Sequence, residues 1–390
     1  MTDVEQVLEE VRAAGLFRQL RVIDSAAGPR VALDGREVLL LCSNDYLGLA
    51  GHPDLRAAAA RAAERWGAGA GASPLVSGHT ALHARLEEEL AAFKGSEACL
   101  LFGSGFLANT GVIAALAGRG DVVLSDALNH ASIVDGCRLA RAETVVYPHA
   151  DLGALEAALA RAPDGRAVIA TDAVFSMDGD LAPLEGIVAL ARRHGARVVV
   201  DEAHATGVVG PGGRGLVAAL GLEREVDVVV GTLGKALGSY GAFVCCDATI
   251  ADFLVNRART LIFSTALPPP AVGAALEALR LLRSEPGLVA RAQGNARVLR
   301  AELAGHGFAV EPGAMPIVPL VAGAPEAATA LCEASLRRGA FAQAIRPPTV
   351  PEGSSRLRIV STAAHSEADL REAADAFAAA ARELELAGVA

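Results

Sequence analysis

At 390 residues the chain exceeds the roughly 250 to 300 at which one hydrophobic core stops growing, so a large domain with a smaller companion is expected. A composition of 52% hydrophobic and 21% charged residues excludes a disordered chain. A formal charge of −10 argues against nucleic acid, whose phosphates are met by clustered Lys and Arg, and leaves small molecules as the expected partners.

In chain order, residues 1–43 form an N-terminal segment, 44–283 a large domain, and 284–390 a C-terminal domain. The first sixteen residues carry acids where a secretory leader has a basic start and an apolar run. No stretch offers the roughly 18 unbroken apolar residues of a membrane helix, so a cytoplasmic protein is expected. The six cysteines form no C-x-x-C pair and read as reduced, packed thiols. Gly67-Ala68-Gly69-Ala70-Gly71 looks at first like a dinucleotide loop, but no strand precedes it and G-x-G-x-x-G is missing. Leu82, Leu86, Leu90 and Phe93 share one helical face. His79 and His83 stand at that helix's start, without the Glu or third ligand of a metal site.

From Val122 onward, short β-branched runs alternate with helical stretches: Val122–Leu124, Ala167–Thr171, Val198–Val200 and Val228–Val230. This alternation predicts an α/β fold around a mostly parallel sheet. Between two of the runs Leu184, Ile187, Val188 and Ala191 recur at helical spacing, with Pro183 near the start and Gly195 past the end. After Pro268-Pro269-Pro270 a helix is expected over Ala271–Leu282. A region poorer in strands then leads to an Ala-rich helix beginning at Glu367.

Asp201-Glu202-Ala203-His204 also occurs in helicase-type ATPases, but no phosphate loop accompanies it. Gly234-Lys235 is followed by Ala236, and Val229 stands where such a loop begins. What survives is Asp201, His204 and Lys235, each placed after a predicted parallel strand on the edge where such sheets bind ligands. A lysine able to form an imine and a carboxylate able to keep a ring nitrogen protonated are what pyridoxal 5'-phosphate requires. His204 could donate to the ring's phenolic oxygen. Ser104, Gly105 and Phe106 open a helix whose N–H groups suit a phosphate, and Thr232 offers a hydroxyl to it. The glycines around Lys235 are read as room for a flat ring.

The chain resembles the α-oxoamine synthases, a branch of the fold-type-I pyridoxal-phosphate enzymes, over nearly its whole length. The carrying segments are Ser43–Gly48, Val76–His79, Ser104–Phe106, Asn129–Ser132, Phe175–Gly179, Asp201–His204 and Thr232–Lys235. The resemblance implies a large domain with helices on a mostly parallel sheet, a smaller α+β C-terminal domain, and condensation of an amino acid with an acyl thioester. It implies that His130 stacks on the cofactor, Ser176 contacts it, Lys235, His130 and Asp201 act in catalysis, and Arg346 holds the amino acid's carboxylate. Arg18, Asn44 and Thr349 would meet substrate. Ala344–Pro351 with Arg356-Leu357-Arg358 is similar to members that join L-alanine to a pimeloyl thioester, and Ser73, where glycine-using members can carry Thr, leaves room for alanine's methyl. A homodimer with shared sites is implied, Ser264–Pro268 reaching the partner's cofactor. Pro74 and Asp172 depart from the family pattern, both expected at the pocket's periphery.

Overall fold

The computed structural model of the protein describes residues 3–386. Two compact units form: a central unit of Leu49–Ser176 and Asp180–Val289, and a terminal unit of the residues up to Gly48, Met177–Gly179 and those from Ala290 on. The strands in chain order are β1 (Arg30–Leu33), β2 (Arg36–Leu40), β3 (Ala98–Phe102), β4 (Val122–Asp126), β5 (Glu143–Tyr147), β6 (Ala167–Asp172) and β7 (Arg197–Asp201). They continue with β8 (Val228–Thr232), β9 (Ala242–Cys246), β10 (Ile317–Gly323), β11 (Ala340–Phe341), β12 (Gln343–Ile345) and β13 (Ser355–Val360).

The central unit holds a seven-stranded sheet of order β3-β9-β8-β7-β6-β4-β5. From β8 to β5 every pairing is parallel, and β9 runs antiparallel to both its neighbours. Strands β4 and β6 are buried along their whole length, which is why they read as unbroken Val-rich runs without alternation. Beneath them Val112, Ile113, Val123, Val168, Val199, Val230, Val244 and Leu254 form one apolar cluster. Each strand runs one or two residues past its apolar run, so that β8, β7, β6 and β4 end on Thr232, Asp201, Asp172 and Asp126.

The crossover helix spans Leu184–His194 and stops at Gly195, whose φ of 62° is the left-handed conformation that closes a helix. The helix expected at Ala271 begins two residues earlier, at Pro269, because a proline in the first turn has no N–H to leave unbonded. His83 completes a capping box with Thr80, and its Nε2 lies 2.8 Å from the Leu267 carbonyl. Both cysteines of the Cys245-Cys246 pair are buried, and all six cysteines are free.

In the terminal unit β2 pairs antiparallel with β1 and parallel with β11, while β13 lies between β10 and β12. Leu39, Leu41, Leu299, Leu320, Leu331, Ile359 and Phe377 fill its core. The region therefore holds more strand than its sequence pattern shows. Strands β11 and β12 have only two and three residues, too few for a period, and β13 buries Arg356 and Arg358 on a strand that reads as polar. Arg356 pairs with Asp178, and Arg358 donates to Asn44 Oδ1 at 2.9 Å and to Tyr46 Oη at 3.3 Å. Among the described residues no helix is long and apolar enough to cross a membrane.

Candidate active site

Four adjacent parallel strands deliver Thr232, Asp201, Asp172 and Asp126 to the carboxyl edge of the central sheet, with Asp172 directly opposite Asp201 in the register of β6 and β7. Asp201 bends the chain after β7 by accepting the Ala203 N–H on Oδ1 at 2.8 Å. Its Oδ2 accepts from Asn109 Nδ2 at 2.6 Å. One residue further, His204 is buried and its Nε2 lies 2.8 Å from Lys235 Nζ. The three residues singled out by spacing thus converge at the ends of β7 and β8.

Lys235 is half-buried on a turn held by Gly238 N–H to the Lys235 carbonyl at 2.9 Å and Leu233 N–H to the Gly241 carbonyl at 2.9 Å. Thr232 Oγ1 donates to the Gly241 carbonyl at 3.1 Å and accepts from Gly234 N–H at 3.2 Å. The glycines here serve packing more than clearance for a ligand. A Cβ on Gly231 would stand 2.1 Å from Phe243 Cζ, and one on Gly238 would meet the Leu49–Ala50 backbone at 2.6 Å with φ at +59°.

His130 caps the helix Ala131–Ala140, accepting the Ser132 N–H, and its Nδ1 lies 2.8 Å from Ser132 Oγ. Asn109 Nδ2 donates to that same hydroxyl at 2.9 Å, which links His130 to Asp201 through two buried side chains. The residue keeps an exposed surface, yet the protein packed around its ring lowers its proton affinity, with Lys235 adding to this and Asp201 opposing it. The imidazole is neutral at neutral pH.

Asp172 does not lie at a periphery. It is 2% exposed, accepts the His130 N–H on Oδ2 at 2.7 Å, and donates its own N–H to Asn129 Oδ1 at 3.0 Å. Burial and then the charge of Asp201 push its carboxyl well above the usual range. Asp172, Asn109 and Ser132 were not among the sequence candidates. A polar Asn inside the otherwise apolar turn of the helix Gly105–Leu116 was the available signal.

Ser104 caps that helix, its hydroxyl accepting from Leu107 N–H at 3.2 Å, and the N–H groups of Gly105 and exposed Phe106 belong to the first turn, where a helix offers them no carbonyl of its own. Ser176 is half-buried in the loop after β6. Ser73 caps the short turn Pro74–Gly78, and its carbonyl accepts from Gly78 N–H at 2.9 Å. The Ala72 carbonyl accepts from Ala266 N–H at 3.0 Å, tying the Ser73 loop to Ser264–Pro268.

The remaining candidates belong to the terminal unit. Arg346 is buried and donates to the carbonyls of Gly15 at 2.6 Å and Phe17 at 3.3 Å. Arg18 is exposed and reaches the Pro347 carbonyl at 3.4 Å. Thr349 is exposed, with its N–H on the Arg346 carbonyl at 3.1 Å, and Asn44 is held by Arg358.

Residues 36–377 match the family described as aminotransferase class I and II. A curated 8-amino-7-oxononanoate synthase from Geobacter sulfurreducens is 52% identical over 97% of this chain and 97% of its own. Among solved structures, serine palmitoyltransferase from Sphingomonas wittichii is 33% identical with a TM-score of 0.93, covering 98% of both chains. The 8-amino-7-oxononanoate synthase from Francisella tularensis is 27% identical with a TM-score of 0.76, covering 89% of this chain and 99% of that one. Of these two solved structures the palmitoyltransferase matches better in both backbone and sequence, whereas the curated oxononanoate synthase from Geobacter sulfurreducens stands much nearer in sequence than either. The chain therefore belongs to the class I and II aminotransferase family and, within its pyridoxal-phosphate enzymes of fold type I, to the 8-amino-7-oxononanoate synthases.

Proposed function

We propose that the protein condenses L-alanine with a pimeloyl thioester, releasing CO₂ and the free thiol and giving 8-amino-7-oxononanoate in biotin synthesis. The observation that carries the reading is the convergence of Lys235, His204 and Asp201 at the carboxyl edge, in a chain about half identical to curated synthases of that activity.

The residues present fit pyridoxal 5'-phosphate. Asp201 offers a buried carboxylate fixed by two donors, and beside it Asn109 Oδ1 is buried without a partner, so the edge carries acceptor capacity the protein leaves unused. A Cβ on Gly105 would meet nothing within 4 Å, leaving open space at the helix start where a phosphate would sit. Asp201 would hold the ring nitrogen, His204 the phenolic oxygen, Ser104, Gly105, Phe106 and Thr232 the phosphate, with His130 against the ring, Ser176 beside it and Lys235 as the bonded amine. When bound, the group supplies an electron sink for charge developing on the amino acid's α-carbon.

The chain's own residues then have separate tasks. Lys235 Nζ accepts the α-proton of alanine and returns it after CO₂ has left, with His204 Nε2 at 2.8 Å steadying the amine. Neutral His130 can donate one hydrogen bond without bringing a positive charge beside Lys235. Arg346, whose donors meet the neutral carbonyl oxygens of Gly15 and Phe17 and no carboxylate among the described residues, is our candidate to hold alanine's carboxylate. Arg18, Asn44 and Thr349 are our candidates for further substrate contacts, and Ser73 for the discrimination of alanine.

We also propose a homodimer in the cytoplasm, where acyl thioesters are made. Leu75 and Val76 beside Ser73 and Phe263 beside Ser264 are exposed on two segments joined by Ala266 N–H and the Ala72 carbonyl, and this apolar surface supports the dimer. The test is thiol release by the cofactor-loaded protein with pimeloyl-CoA, acetyl-CoA or succinyl-CoA, each with L-alanine or glycine. Release confined to pimeloyl-CoA and alanine is expected. A preference for glycine with a short donor would move the protein to the activity of glycine C-acetyltransferase or 5-aminolevulinate synthase. No release with any coenzyme A thioester, but release with pimeloyl carrier protein, would fix the carrier protein as donor.

A further inference from the structure

We propose that His149 is a positioning residue, an imidazolium that ties the turn carrying His130 to the loop carrying Ser176 so that both meet the cofactor in register. The inference rests on the pyridoxal-phosphate reading, but no sequence motif pointed to His149, and it lies outside the set of side chains assigned to the cofactor.

The two segments leave neighbouring strands and meet at this one ring. Asp126 ends β4, and its Oδ1 accepts from Leu128 N–H at 2.8 Å while its carbonyl accepts from Asn129 N–H at 3.2 Å, which fastens the turn leading into His130. Its Oδ2 accepts from Ala150 N–H at 2.8 Å, bringing the segment after β5 alongside. His149 Nδ1 then lies 3.0 Å from Asp126 Oδ1, and its Nε2 lies 2.8 Å from Asp180 Oδ2. Asp180 closes the second loop: its carbonyl accepts from Phe175 N–H at 3.0 Å, and Val174 bridges to Leu181 just outside. Ser176 follows Phe175 directly, and the Phe175 ring meets His149 edge-on at 4.4 Å, fixing the imidazole plane.

Both partners of the ring are carboxylates, which only accept. A neutral imidazole has a single N–H and would turn a lone pair toward one of them, whereas the imidazolium donates to both. Burial works against the charged ring, but hydrogen bonds to Asp126 and Asp180 outweigh it and raise the His149 pKa above its ordinary value. The titratable groups facing it are Asp126 from β4 and Asp180 from the loop. Tyr147 at the end of β5 stays neutral, its phenol pushed up by burial and by Asp126. A raised pKa means the clamp is intact below it and is lost as pH rises through it.

The experiment titrates the apoprotein with pyridoxal phosphate, followed by absorbance, from mildly acidic to mildly alkaline pH, for the wild type, His149→Gln and Asp180→Asn. The wild type is expected to lose affinity as His149 deprotonates. His149→Gln, keeping one donor, should bind about tenfold more weakly at neutral pH and lack that alkaline limb. Asp180→Asn changes a carboxylate that is 40% exposed, so it folds, and it should move the limb to lower pH by removing one of the charges that hold the proton. His149→Gln binding as tightly as wild type with the same limb would overturn the proposal, as would Asp180→Asn leaving the limb in place. A merely structural His149 would give a weakened affinity at a ratio independent of pH, which also overturns it. The readout is cofactor binding and not turnover, so this proposal and the condensation reading can fail separately.

Discussion

Replacing Lys94 by methionine is expected to cost the central unit about 3–5 kcal/mol, because it strands a buried carboxylate behind the active-site edge. Lys94 and Glu202 have side chains 3% and 0% exposed. All three ammonium donors are used, on Glu202 Oε2 at 2.7 Å, Thr206 Oγ1 at 2.8 Å and the Arg214 carbonyl at 2.7 Å. The other Glu202 oxygen, Oε1, accepts the Val217 N–H at 2.7 Å, and Gly215 approaches so closely that a Cβ there would fall 2.1 Å from Oε2. Methionine keeps the length of the chain and removes the charge, so Glu202 must stay ionised without a counter-ion or take up a proton. Urea unfolding followed by Trp66, the single tryptophan and a residue of the central unit, reads the loss. With a urea slope of about 3 kcal/mol per M the midpoint should fall by about 1 to 1.7 M, and Lys94→Met/Glu202→Gln should recover most of it. Arg192→Met, breaking an exposed pair with Glu225, should leave the midpoint unmoved. A drop in Lys94→Met of less than about 0.3 M, or a double variant no better than the single, would refute the reasoning.

Lys235→Ala should abolish the imine absorbance band of the cofactor-loaded protein while leaving the urea midpoint of the apoprotein near that of wild type. Gly231→Ala should destabilise by about 1–3 kcal/mol in the same unfolding assay, because the new methyl overlaps the Phe243 ring on the neighbouring strand. Asp172→Asn should match wild type in acid and gain stability relative to it as pH rises, since the wild-type carboxyl, raised by burial and by Asp201, resists an ionisation the unfolded chain undergoes freely. An unfolding midpoint measured at several pH values checks the sign. Ser73→Thr should shift the ratio of kcat/KM for alanine over glycine toward glycine by about tenfold, read by thiol release.

The residues proposed to carry the chemistry were legible because each follows a strand that reads as one. Asp201 and His204 follow a Val run, and Lys235 stands five residues past another, so spacing alone places them on one edge. The terminal unit was far less legible. The Val38–Leu41 stretch finds a parallel partner in β11, some three hundred residues away along the chain, and no local pattern in a two-residue strand announces that pairing. Arginines in β13 likewise masked a buried strand, because their partners Asp178, Asn44 and Tyr46 come from other segments.

Asp172 shows why a site's support is harder to read than the site. In sequence it is one acid between Thr171 and Ala173, with nothing to separate it from an acid at the rim. Its meaning comes from the register of β6 against β7, which sets it opposite Asp201, and from the turn after β4, which brings the His130 N–H onto its carboxylate. Asn109 and Ser132 gain theirs in the same way, from a helix after β3 and a helix after β4 that pack together under the sheet edge. A one-residue slip between two strands would leave every motif intact and dissolve these contacts. The residues proposed for the cofactor are thus specified by position along single strands, whereas the network around them is specified by agreement between strands. That second kind of information accumulates only when the core that fixes the register has formed, which makes the buried valines of β4, β6 and β7 as necessary to the placement of His130 as the residues that touch it.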